Sequence, residues 1–174
     1  MGVLINMKLE YKSLEGMMKS IENIPGSFDK GLEKAAIYMM GVTGRRFEKQ
    51  VNPWGAKWKA LSETTIAMRR GGSGLAHQAN AGAMILQDTG RLKASVTAGK
   101  SPDTIKKFSG SGIERRLLWG TNVEYAHRHQ FGIGVPKRVF LGINSKGSPS
   151  DEETIHNIIA DTVWEDVMRK KGKI

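Results

Sequence analysis

The chain has 174 residues, 27 Lys+Arg against 17 Asp+Glu, and no cysteine, which excludes disulfides and thiolate metal sites. A single domain over residues 1–174 is expected, since a chain of this length buries roughly 70% of its unfolded surface by packing alone. The apolar start Met1–Met7 is too short for a secretory core, and no stretch reaches the roughly 18 apolar residues of a span, so cytoplasmic synthesis without a membrane partner is expected.

The net charge of +10 is uneven: residues 44–150 hold 18 Lys+Arg against 6 Asp+Glu, while the two ends together hold 9 against 11. A basic middle attracts polyanions, either nucleic acid or an acidic protein face, and charge sign alone does not choose between them.

In chain order, Val3, Ile5, Met7 and Leu9 alternate with mostly polar neighbours and predict a strand. Leu14, Met17, Met18 and Ile21 follow helical spacing up to Pro25-Gly26. Ser27 is a suitable N-cap for the main amphipathic helix, predicted over residues 28–51 with Phe28, Leu32, Ala35, Met39, Val42 and Phe47 on its apolar side. Residues 69–83 are rich in glycine and small side chains and predict a mobile loop. Its basic pair Arg69 and Arg70 would then be free to meet an acidic partner or DNA.

From Leu92 the pattern reads as strand over Leu92–Ala98, Ile113–Thr121 and Val139–Ile143. Thr104–Phe108 either pairs with one of these or lies in a connection. Ser150 caps a last helix with Asp151, Glu152 and Glu153 in its first turn and Ile155, Ile158, Ile159, Val163 and Val167 along its apolar stripe. The fold class is therefore α+β: a small, mainly antiparallel β-sheet packed by a long amphipathic helix and a C-terminal helix.

Candidate chemistry is sparse. In a strand His127 and His129 would share a face and could hold a metal, but His77 and His156 lie in other contexts, Glu124 is only a possible helper, and ordinary structural histidines are the simpler reading. Asp88-Thr89-Gly90 suits a turn better than half of an aspartic-protease site, which would need a second such loop. Trp54 and Trp58, set among Lys57, Lys59, Arg45 and Arg46, could stack nucleobases; anchoring a loop or filling an interface pocket is favoured. No cofactor is expected.

Four ordered motifs carry a resemblance. The first is Phe47, Pro53, Gly55, Trp58, Leu61 and Thr65; the second is Leu86, Thr89, Gly90 and Leu92. The third is Gly120 and Thr121 followed by Tyr125, Ala126, His129, Gln130 and Gly132; the fourth is Pro136, Arg138, Phe140, Leu141 and Gly142. In this order they resemble the phage virion-morphogenesis (tail-completion) family of Mu-like phages. The resemblance implies a non-enzymatic part of the virion neck or tail end that completes the tail or joins it to the head. It also implies assembly with itself in a ring, often a hexamer, and neighbouring neck and tail proteins as partners. DNA passing through the channel is a further partner in that reading.

Within that frame, Trp54, Trp58, Tyr125, His129, Gln130, Phe131, Arg138 and Phe140 are the motif or interface candidates. Tyr125 and Phe131 are expected to be buried, with His129 or Gln130 bonding backbone near Pro136–Gly142. Two other classes stay in view: a basic DNA-binding protein with no virion role, and a His-based metal-dependent hydrolase.

Overall fold

The computed structural model describes residues 3–7, 25–71, 83–111, 114–147 and 149–171. The elements are β1 (Val3–Met7), α1 (Pro25–Lys49), α2 (Glu63–Gly71), α3 (Arg91–Thr97), β2 (Thr104–Ser109), β3 (Arg116–Thr121), α4 (Ala126–Phe131) and α5 (Asp151–Lys171). The strands form a three-stranded sheet in the order β1-β3-β2. The short connection from β2 to β3 makes that pair antiparallel, because a parallel partner would require a crossover. The architecture is α+β, with the small antiparallel sheet packed by long α1 and C-terminal α5. The helix expected around Leu14–Ile21 lies outside the described residues.

The chain divides into two compact units. One comprises residues 1–4, 40–105 and 120–143; the other comprises 5–39, 106–119 and 144–174.

In the second unit, Phe28, Leu32, Ala35, Ala36 and Met39 form the buried stripe of α1, and Ile155 and Ile159 of α5 are buried with them. Gly31 permits the helices to approach closely, since a Cβ there would sit 3.2 Å from the Ile159 Cα. Ser27 does not cap α1. It lies inside the helix and donates its hydroxyl to Asp166 at 2.5 Å. The helix already begins at Pro25, so the Ser27 side chain is placed to tie the first turn to α5 instead, and the Ser27 hydroxyl and the Lys30 ammonium together hold the Asp166 carboxyl below its ordinary range. The cap on α5 is as expected: Ser150 Oγ accepts from the Glu153 amide at 3.0 Å.

In the first unit, α1 ends at Gln50, which adopts a left-handed φ of 54°. Leu92–Ala98 is not a strand. Leu92, Ser95 and Val96 are buried at helical spacing in α3, and Thr89 Oγ1 accepts from the Arg91 amide where the helix begins. Val96 and Thr97 favour strand as single residues, but the buried i, i+3, i+4 face decides the outcome.

Candidate functional site: the motif core and its cleft

Val139–Ile143 is not a strand either, because side chains take the backbone groups a neighbouring strand would have paired. Gln130 Nε2 donates to the Leu141 carbonyl at 2.7 Å, and its Oε1 accepts from the Phe140 and Leu141 amides at 3.1 and 3.2 Å. The Trp58 indole donates to the Val139 carbonyl at 2.9 Å, and Arg46 Nη1 donates to the Gly142 carbonyl at 2.7 Å. An extended apolar segment is thus satisfied without a ladder, which is what burial of its backbone demands.

Apolar packing seals this arrangement. Phe47 meets Trp58 edge-on at 5.3 Å and Phe140 at 5.9 Å, and all three are buried. Such aromatic pairs contribute about 0.5–1.5 kcal/mol each beyond their buried area. Pro53 closes over Gly142, where a Cβ would come within 2.9 Å of the proline ring. In the Pro53 turn, Asn52 Oδ1 accepts from the Trp54 and Ala56 amides. Gly55, at φ 86°, lets the chain reverse. Trp58 turns inward from this loop, as the anchoring reading expects, but Trp54 is 57% exposed.

Arg138 is the second fastener. It is buried, and its guanidinium donates to the Lys59 and Ala60 carbonyls at 2.9 and 3.1 Å. Its backbone amide also donates to the His129 carbonyl at 2.7 Å. The expected backbone bonding near Pro136–Gly142 is therefore supplied by the Gln130 side chain and by the His129 carbonyl.

The expected burial of Tyr125 and Phe131 is not found: Tyr125 is 39% and Phe131 63% exposed. Tyr125 precedes and Phe131 ends α4, a helix rather than a strand, and only Ala126 of that helix is buried. A helix this short presents only one narrow face inward, and Gln130 takes the inward position. The helical form also separates the two histidines, since residues two apart do not share a helix face. The His127 ring donates to the Glu124 carbonyl at 2.7 Å, while His129 Nδ1 is buried without a hydrogen-bond partner among the described residues. No group of three or more His, Cys, Asp or Glu side chains able to hold a metal is gathered among the described residues.

Arg69 and Arg70 belong to α2, not to a loop, and residues 72–82 lie outside the described set. Arg69 is held: Nη1 donates to the Met84 carbonyl at 2.8 Å, and Nε lies 3.4 Å from Asp88. This fixed position puts Arg69 into a cleft with Arg91, His129 and Arg138, also lined by Leu61, Leu86, Asp88, Thr89 and Tyr125. Burial, then the Arg138 and Arg69 charges, push the His129 ring below its ordinary pKa. Arg138 is likewise lowered, first by burial and then by Arg69. Sequence reasoning passed over Arg91 and Asp88 as cleft residues. Their place beside Thr89 and Gly90 in the second motif was the available signal.

The four motifs therefore converge on one core and one cationic cleft. The profile of the phage virion morphogenesis family matches residues 9–163, most of the chain. The protein belongs to that family. No curated protein and no solved structure matches the chain significantly.

Proposed function

We propose that this chain is a non-enzymatic structural part of the virion neck or tail end, a tail-completion or head–tail joining protein working within a ring. Family membership supports a role in virion assembly. The observation that carries the finer reading is where the motif side chains go. Gln130, Trp58 and Arg138 bond backbone carbonyls or amides, and Phe47 and Phe140 fill the core. The motifs thus maintain a rigid shape, while Trp54, Phe131 and Ile133 remain exposed for contact with other chains. A ring covers such surfaces by repeating one heterologous contact until it closes.

The DNA-binding reading draws on charge: residues 40–105 and 120–143 carry 13 Lys+Arg against 5 Asp+Glu. Inactivating the gene in a producing phage separates the two. Loss of a joining protein leaves filled heads and tails as separate particles in lysates, restored by supplying the gene in trans. Normal particle numbers with altered DNA transactions would favour the DNA-binding reading.

A further inference from the structure

The cleft beside the motif core holds more cationic donors than its own acids use. Its volume is about 320 Å³, and Arg69, Arg91, His129 and Arg138 reach it from α2, α3, α4 and the segment after α4. Arg69 commits Nη1 and Nε to Met84 and Asp88; Arg91 commits Nε and Nη2 to Asp103; Arg138 commits Nε and Nη2 to Lys59 and Ala60. Each guanidinium keeps one amino group with no partner among the described residues. The His129 ring lines the same cleft, with its Nδ1 shielded from solvent and without a partner among the described residues, so it reports on charge placed there. We propose that this cleft receives a carboxylate side chain from an acidic segment of a partner protein.

The fixed arginines suit this ligand because the guanidinium fork presents parallel N–H groups to a planar carboxylate. Leu61 and Leu86 supply apolar wall for the methylenes of a glutamate, and Tyr125 stands edge-on to His129 at 6.3 Å. Duplex DNA fits less well. It binds through rows of cations on an open surface, whereas this site is a single concavity with Asp88, its side chain 40% exposed, in the wall.

The inference rests on reading the chain as an assembly part that meets other proteins. Hexaglutamate, added at low salt to the isotope-labelled full chain, is the probe, followed by NMR at the histidine rings. The Arg69 and Arg138 charges act on the His129 ring, Tyr125 stands edge-on to it, and Arg91 and Asp88 line the same cleft, so an added carboxylate raises the pH at which that ring titrates. His127, bonded to the Glu124 carbonyl, serves as the internal control. Arg91→Gln weakens binding about tenfold, the loss of one charge-assisted contact. Arg116→Gln, which removes the same charge outside the cleft, leaves binding unchanged. Equal weakening by both variants, no movement of the His129 resonance, or movement only on adding a short DNA duplex would each overturn the proposal. A phage that needs the gene while its purified chain ignores hexaglutamate would discard the cleft and leave the assembly role standing.

Discussion

Gln130 clamps Leu141 by both backbone groups, donating to its carbonyl at 2.7 Å and accepting from its amide at 3.2 Å. The third bond, from the Phe140 amide, makes one side chain serve as the missing neighbouring strand. Gln130→Leu keeps the volume and removes all three bonds. It should lower unfolding stability by about 2–3 kcal/mol, since stranded buried amides and carbonyls cost about 1–3 kcal/mol apiece before relaxation. A urea midpoint indistinguishable from the parent chain would show that the clamp is incidental.

Two neighbouring phenylalanines should behave oppositely. Phe140 is fully buried, and Phe140→Ala should cost about 3–5 kcal/mol. Phe131 is 63% exposed, so Phe131→Ala should change stability by less than about 0.5 kcal/mol while impairing particle assembly if that ring meets another chain. Thermal melts on the purified variants, followed by complementation of a gene-deficient phage, measure both halves.

Much of this was legible in the residues, and the misses share a cause. The α1 and α5 stripes, Ser150 as a cap and the strand ending near Thr121 follow from periodicity and local chemistry, which the fold preserves. Leu92–Ala98 and Val139–Ile143 are composed like strands, but tertiary partners override that preference. Leu92 and Val96 bury one helical face, and Gln130, Trp58 and Arg46 consume the ladder positions of the later segment. The importance of Gln130 could be anticipated; the outward turn of Tyr125 and Phe131 could not, because it depends on α4 being helical. Arg69 looked free when placed in a loop, and helix α2 instead fixes it against Met84 and Asp88.

Arg138→Lys should not be conservative. The buried fork spans the Lys59 and Ala60 carbonyls, and an ammonium lacks the planar pair of donors to reproduce both bonds. A loss of about 1–3 kcal/mol is expected from the stranded carbonyl. Proteolysis should show earlier cutting near residues 59–60, and an unchanged digestion pattern would contradict this.

Acid should weaken the fold through His129. Its folded pKa lies below the ordinary 6.5, so between the two values the unfolded chain binds more protons and stability rises with pH. Stability should therefore fall as pH drops through 6.5, level off below the depressed folded value, and show no His129 slope above 6.5. The paired carboxylates Asp103 and Asp166 are lowered too, and their losses fall separately, below about pH 4. His129→Gln should flatten the profile between pH 5 and 6.5, a range where neither aspartate titrates. Parallel profiles for the two proteins would remove His129 as the source.

A reconstruction of the virion by electron cryomicroscopy tests the central claim most directly. Copies of this chain should form a closed ring at the neck or tail end, with the Gln130–Leu141 clamp intact in every subunit and Phe131 against a neighbouring chain. A complete, infectious particle whose neck and tail density is fully assigned without this chain would contradict it.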